Sequence, residues 1–125
     1  MYVCDRQGDR IQVFTKDGKF IKEGFIARKT LGSGSAWDIG FSVDPQQRFI
    51  YLADGMNARV HILVRDTLQV VGFIGQGGRY PGQFYGTHSI AVDSKGNMYT
   101  GETYEGKRLQ RFLYKGLGNA TTSNN

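Results

Sequence analysis

The feature that most constrains this chain is a repeat of 48 to 49 residues. Tyr2, Tyr51 and Tyr99 lie 49 and then 48 residues apart, and an acidic residue follows each of them three positions later. In every copy an arginine comes five or six positions after that acid and opens an apolar segment. Such self-similarity predicts one supersecondary unit that is repeated along the chain and buries its apolar surface against the next copy.

Each copy has the pattern of four short antiparallel strands. Apolar residues alternate with others at Val60, Ile62 and Val64, which is typical of a half-buried strand. Glycine accounts for 18 of the 125 residues, and this abundance favours strands joined by tight turns. Four antiparallel strands in about 48 residues, repeated, predict the blades of a β-propeller, which is an all-β fold. In the one complete copy the strands are expected at about 38–43, 49–54, 58–64 and 68–74.

The copies predict about two and a half blades, in the segments 2–25, 38–74 and 87–113. The first copy begins on the second strand of its blade, and the third copy ends after its third strand. We therefore expect residues 1–116 to form one partial propeller that belongs to a longer protein. Residues 117–125 are polar and rich in small side chains, and we expect this tail to be disordered.

The phrases within the copies resemble the NHL repeat. They include Arg10-Ile-Gln-Val-Phe14 with Asp17-Gly18-Lys19-Phe20, and Ile90-Ala-Val-Asp93 with Gly96-Asn97-Met98-Tyr99. The resemblance covers residues 2–116 and implies a six-bladed propeller, of which this chain would be the C-terminal part. It also implies an exported setting, secreted or periplasmic, as in bacterial NHL-repeat proteins. The sequence departs from the repeat at Pro45, where a glycine-containing turn is usual, and at Glu102, where aspartate is usual.

Charge and cysteine content narrow the classes of function. The chain has 16 basic and 11 acidic residues, and the resulting charge of +5 permits contact with nucleic acid or an anionic surface. Cys4 is the single cysteine, so an intrachain disulfide and a cysteine-based zinc site are excluded. No apolar run approaches the roughly 20 residues that cross a bilayer, so no transmembrane segment is predicted.

Aromatic and basic residues crowd the connections at one face of the predicted propeller. These are the inter-blade connections 26–37 and 75–87, together with the turns between second and third strands. A surface of this composition suits a protein or peptide ligand. The alternative is that Trp37, Tyr80 and Phe84 pack between blades. The candidates for the binding face are Arg6, Trp37, Asp38, Arg79, Tyr80, Tyr85, His88, Tyr104 and Lys107.

His88 is expected at the mouth of the first strand of the third copy. NHL-type peptidyl-hydroxyglycine lyases place metal-ligating histidines at this kind of position, so the resemblance implies a ligand for zinc or calcium. A metal site of this kind needs three or more ligands, and the equivalent stretch 37–40 has no histidine. The other histidine, His61, is expected on a third strand, farther from the channel. The alternative is that His88 is a wall residue held by a hydrogen bond.

Each acid that ends a second strand is followed by the arginine that opens the third strand. The pairs are Asp5 with Arg10, Asp54 with Arg59, and Glu102 with Arg108. Because they recur in every copy, we interpret them as structural ion pairs that tie the turn.

The leading functional hypothesis is a non-catalytic binding or interaction scaffold that needs no cofactor. The alternative is a metal-dependent peptidyl-hydroxyglycine (amidating) lyase with His88 as a metal ligand. Single-stranded RNA is a third hypothesis, since some NHL propellers bind it through a basic face with stacking aromatic residues. A partial propeller leaves apolar blade faces open, so self-association of the chain is also expected.

Overall fold

The computed structural model describes residues 1–117, which form ten β-strands and no helix. The predicted all-β fold class is therefore confirmed. The strands are β1 (Tyr2–Asp5), β2 (Arg10–Phe14), β3 (Phe20–Phe25), β4 (Asp38–Phe41), β5 (Phe49–Asp54), β6 (Arg59–Val64), β7 (Val70–Ile74), β8 (Thr87–Val92), β9 (Met98–Glu102) and β10 (Leu109–Phe112).

The strands form three antiparallel sheets, and each sheet follows the order of the sequence. Strands β1–β3 make blade 1, β4–β7 make blade 2, and β8–β10 make blade 3. Within residues 1–117 blade 2 alone has four strands, as the repeat predicted. The sheets are consistent with consecutive blades of a propeller, and residues 1–117 do not close a ring.

The strand register repeats with the sequence. Tyr2, Tyr51 and Tyr99 occupy equivalent places in the pairing of second and third strands. The predicted strand boundaries in blade 2 hold to within two residues. The fourth strand begins at Val70 because Leu68, in the preceding turn, has a left-handed backbone with φ of 59°.

The core lies between the blades, because successive side chains of a strand point to opposite faces of its sheet. Ile11, Leu52 and Leu63 are fully buried between blades 1 and 2. Val60 and Phe84 are fully buried between blades 2 and 3. Full burial of an apolar side chain of this size stabilises by about 1.5–3 kcal/mol. The packing of one blade against the next therefore holds the fold together.

The first strands of blades 2 and 3, β4 and β8, lie side by side. Asp38 Oδ2 accepts a hydrogen bond from the backbone N–H of Ile90 at 2.9 Å, and Asp38 Oδ1 accepts one from Ile39 N–H at 2.9 Å. Asp38, one of the residues predicted for the binding face, thus joins blade 2 to blade 3 through Oδ2, while Oδ1 is bonded within β4.

Two kinds of connection meet at one end of the blades. In an antiparallel four-stranded blade, the turn between second and third strands lies at the same end as the connection to the next blade. We call this end the groove face, and its segments are 6–9, 26–37, 55–58, 75–86 and 103–108. The turns of the opposite face are 15–19, 42–48, 65–69 and 93–97.

Two further predictions concern the membrane and the C-terminal tail. None of residues 1–117 belongs to a helix long and apolar enough to cross a membrane. The predicted disordered tail, 117–125, lies outside the described residues except for Leu117, which is exposed.

Candidate functional site

A groove of about 650 Å³ opens on the groove face between blades 2 and 3. Its walls carry Trp37, Met56, Tyr85 and Tyr104, and four glycines expose backbone between these side chains. Arg79 adds a single cation to the lining. Among the described residues, no Asp, Glu, His, Cys, Ser or Thr lines the groove. The surface is therefore aromatic and apolar with one basic side chain.

Trp37 lies directly before β4 and is fixed at three points. Its backbone N–H donates to Ala53 O at 3.1 Å, and its indole Nε1 donates to Gly34 O at 2.6 Å. A β-carbon at Gly55 would lie 2.8 Å from carbons of the Trp37 ring, so this glycine leaves the space that the ring fills. Trp37 is half-buried, which means that it packs against the blades and also forms part of the groove wall.

Side chains from all three blades meet at Trp37. The guanidinium carbon of Arg6, from blade 1, lies 4.6 Å from the centroid of the Trp37 ring. From blade 3, His88 and Tyr104 approach edge-on, with ring centroids 5.4 and 6.4 Å away. We call these four residues the Trp37 cluster. The structure thus brings together four of the residues that the sequence predicted for the binding face.

Arg79 and Tyr85 form a second stacked pair in the groove. The guanidinium carbon of Arg79 lies 4.8 Å from the centroid of the Tyr85 ring, and Arg79 Nη1 donates to Glu105 O at 3.0 Å. Tyr85 is 42% exposed and Tyr104 is 61% exposed. Both tyrosine rings are therefore accessible to a ligand.

Other candidates lie apart from the groove lining. Tyr80 is 77% exposed and does not line the groove. Lys107 is exposed in the turn before β10, with a left-handed φ of 44°. Phe84, by contrast, is among the residues that line the groove. It is fully buried and packs on Phe112 with ring centroids 5.5 Å apart, so it also packs blade 2 against blade 3.

Gly55 and Met56 are two of the groove residues that were not among the candidates from the sequence. Gly55 occupies the repeat position of Arg6, 49 residues further along the chain. This departure from the repeat is the signal that marks it. Met56, an exposed residue in the same turn, carries no comparable signal.

Arg108 anchors the connection between blades 2 and 3. Its Nη2 donates to Glu102 Oε1 at 2.9 Å and to Gln83 O at 2.7 Å, and its Nη1 donates to Arg79 O at 2.6 Å. The Glu102 side chain is fully buried and also accepts a hydrogen bond from Gln110 Nε2 at 2.6 Å. This ion pair therefore holds the backbone from which Arg79 enters the groove, a role that the sequence pattern did not indicate.

The acid and arginine are bonded in blade 1 as well. Arg10 Nε lies 2.8 Å from Asp5 Oδ2, and Arg10 Nη1 lies 3.1 Å from Glu23 Oε2. In blade 2 the expected pair of Asp54 with Arg59 is not formed, although the two residues lie opposite each other in the strand register.

Asp54 is instead bonded to a histidine. It is fully buried, and its Oδ2 lies 2.9 Å from His61 Nε2, while Asn57 Nδ2 donates to the same oxygen at 2.8 Å. Arg59 donates to Asn57 O at 3.3 Å and lies over the Phe73 ring at 4.2 Å from its centroid. His61 Nδ1 is buried and has no hydrogen-bond partner among the described residues.

His88 is exposed on the groove face, where it contacts Trp37. Its Nδ1 lies 3.3 Å from the hydroxyl oxygen of Ser89. Residues 1–117 contain no group of three or more His, Cys, Asp or Glu side chains placed to hold a metal ion. The metal role of His88 stays a prediction from the NHL resemblance.

Cys4 lies between blades 1 and 2 rather than in the groove. Burial, together with the charge of Asp38, raises the pKa of the Cys4 thiol from its ordinary 9.0 to about 11. The thiol is therefore protonated at neutral pH and serves as a packing group.

Two carboxylates in turns of the opposite face are stabilised in the ionised form. The hydroxyl of Ser42 donates to Asp44 at 2.5 Å and is the main cause of the lowered pKa of Asp44. The side chain of Asn97 donates to Asp93 at 2.9 Å and is the main cause of the lowered pKa of Asp93. These bonds hold the turns between first and second strands.

The fold and the groove define the class of this protein: an all-β chain of propeller-type blades with an aromatic groove at one face. The chain matches no protein-family model, and no curated protein is similar to it in sequence. The NHL assignment therefore depends on the sequence resemblance alone.

Proposed function

We propose that this protein is an NHL-type β-propeller scaffold that binds a protein or peptide ligand without catalysing a reaction. The observation that carries the proposal is the groove between blades 2 and 3, with Trp37, Tyr85 and Tyr104 on its walls. Aromatic side chains supply large contact areas at a low cost in conformational entropy and dominate binding hot spots. An exported setting, secreted or periplasmic, belongs to the same proposal and comes from the resemblance to bacterial NHL-repeat proteins.

The chemistry of the lining favours binding over catalysis. The groove offers aromatic rings, methionine, exposed glycine backbone and one arginine, which together suit side-chain burial and hydrogen bonds to a peptide backbone. The walls are also fixed before a ligand arrives, since Trp37 is held by two hydrogen bonds and Arg108 holds the backbone at Arg79. A preorganised surface loses less entropy on binding.

The test uses Trp37 as a built-in probe. It is the only tryptophan, so its fluorescence reports on the groove directly. Peptides selected on the intact chain from a displayed random library are expected to change the Trp37 emission when they bind. Tyr104→Ala is expected to weaken their binding by about tenfold or more, because it removes an aromatic anchor.

The matched control is Tyr80→Ala, which removes a ring that is more exposed than Tyr104 and lies outside the groove lining. This variant is expected to bind the selected peptides as tightly as the unmodified chain. Selected peptides that bind the Tyr104→Ala variant with full affinity and leave the Trp37 emission unchanged would contradict the proposal.

A further inference from the structure

The groove face is more cationic than the opposite face. Its segments carry six basic and two acidic side chains, whereas the turns of the opposite face carry five basic and four acidic ones. Of the two acids, Asp9 is buried and accepts a hydrogen bond from Ser35 N–H at 2.8 Å, while Glu105 is exposed. The basic residues of the groove face are Arg6, Arg28, Lys29, Arg79, Lys107 and Arg108, of which Arg108 is paired with Glu102.

Arg6 is a half-buried cation without an acidic partner. Its guanidinium lies over Trp37, and its side chain makes no hydrogen bond or ion pair with residues 1–117. Arg10 and Arg108, by contrast, each bind a carboxylate. Because burying an unpaired charge is costly, an anionic ligand group would stabilise this site. A guanidinium stacked on an aromatic ring keeps the N–H donors at its edge free for a carboxylate.

Arg79 repeats this arrangement on the groove wall. It lies over Tyr85, and its Nη1 donates to the backbone carbonyl of Glu105. Its Nε and Nη2 make no hydrogen bond with the described part of the chain. The groove therefore has one stacked guanidinium in its lining, that of Arg79, and a second, that of Arg6, on the Trp37 ring of its wall.

These contacts favour an acidic peptide over RNA. RNA bases need open aromatic faces on which to stack, whereas one face of Trp37 and one face of Tyr85 are covered by guanidinium groups. The groove of about 650 Å³ accommodates an apolar or aromatic side chain, and the two arginines offer donors to neighbouring carboxylates.

We infer that the groove selects an acidic peptide, in which Asp or Glu flanks an aromatic or apolar residue, and that Arg6 determines the acidic preference. The inference rests on the proposed function, since it names the class of ligand for the same groove.

The experiment uses the intact chain and three synthetic heptapeptides, each with a central Phe flanked on both sides by Asp, by Asn or by Lys. An oligouridylate is the RNA probe, and Trp37 fluorescence measures each affinity at fixed salt. The Asp peptide is expected to bind about tenfold more tightly than the Asn peptide, and the Lys peptide is expected to bind most weakly.

Arg6→Gln tests the residue. This variant is expected to bind the Asp peptide about tenfold more weakly and the Asn peptide unchanged, because glutamine cannot pair with a carboxylate as an ion. Arg6→Lys keeps the charge without the planar donor edge, so its affinity for the Asp peptide is expected to lie between those of the unmodified chain and Arg6→Gln. The control is Arg48→Gln, which removes the same charge from the opposite face, where Arg48 Nε lies 3.0 Å from Asp44 Oδ2. Urea unfolding of each variant verifies that it folds.

The other outcomes separate the two proposals. Equal affinity for the Asp and Asn peptides would overturn the acidic preference and leave the peptide-binding function standing. An equal loss of Asp-peptide binding in the Arg6→Gln and Arg48→Gln variants would overturn the role of Arg6 in favour of net charge. Binding of oligouridylate alone, with an affinity that falls steeply as salt rises, would overturn the peptide in favour of RNA. Binding of none of the probes would overturn the acidic preference, while the peptide-binding function is decided separately by the selected library peptides.

Discussion

Arg108 and Arg59 occupy the same repeat position, 49 residues apart, but they have different partners. We therefore expect substitution by methionine to destabilise the protein far more at position 108 than at position 59. Methionine keeps an unbranched apolar stem and removes every N–H donor, so the comparison isolates the loss of hydrogen bonds and charge.

The expected cost of Arg108→Met is about 3 kcal/mol, because the fully buried Glu102 carboxylate would lose its cation. This value is at the lower end of the range for breaking a buried ion pair, since Gln110 Nε2 still donates to Glu102 and Arg108 itself is 25% exposed. Arg59 makes one hydrogen bond to a backbone carbonyl and stacks on Phe73, so Arg59→Met is expected to cost about 1 kcal/mol.

Urea unfolding of the two variants, followed by circular dichroism and by Trp37 fluorescence, measures both costs. A second substitution separates charge from geometry: Glu102→Gln removes the buried charge, so the double variant with Arg108→Met is expected to regain about 1–2 kcal/mol of the loss. Equal losses in the free energy of unfolding for Arg108→Met and Arg59→Met would refute the reasoning, because they would mean that the two arginines stabilise their blades equally.

Gly55→Ala is expected to displace the Trp37 ring, to shift the Trp37 fluorescence and to weaken the binding of selected peptides. The control is Gly72→Ala, whose added β-carbon would meet no atom within 4 Å, so the ring position, the fluorescence and the peptide affinity are expected to stay unchanged. The raised pKa of Cys4 predicts alkylation about 100-fold slower in the folded than in the urea-unfolded chain at about pH 8. For the same reason the free energy of unfolding is expected to fall as the pH rises from 9.0 to about 11, since only the unfolded chain ionises freely there. The lowered pKa of Asp93 acts in the opposite direction: ionised Asp93 stabilises the folded chain fully above pH 3.8, its ordinary pKa, and this stabilisation is lost as the pH falls. In the Asp93→Asn variant the free energy of unfolding is therefore expected to fall less steeply as the pH is lowered.

The blades were predictable because the long repeat of the sequence and the alternation within each strand indicate the same strands. The repeat of 48 to 49 residues sets where each blade begins, and the alternation within each strand sets which side chains enter the core. A slip of one residue would turn Leu52 from the face of β5 that packs on blade 1 to the face that packs on blade 3. Register was therefore constrained at every strand that has a buried face, and the strand boundaries in blade 2 followed from it.

The ion pair of blade 2 could not be predicted from spacing. A spacing argument treats each acid and arginine as a pair, whereas a buried carboxylate is satisfied by whichever donors are within reach. Asp54 has His61 and Asn57 within reach, and these two donors satisfy it without the guanidinium of Arg59. Only the three-dimensional packing of β6 against the turn shows that His61 is near enough to bind Asp54 in place of Arg59.

The groove itself arises where the copies of the repeat differ. Trp37 has Gly86 and Arg6 has Gly55 at the position 49 residues further along the chain. Gly55 has no side chain to overlap the Trp37 ring, whereas a residue like Arg6 at that position would occupy the space of the ring. The repeated positions determine the blades, and the positions that break the repeat at the groove face form the aromatic groove on which the proposed binding function depends.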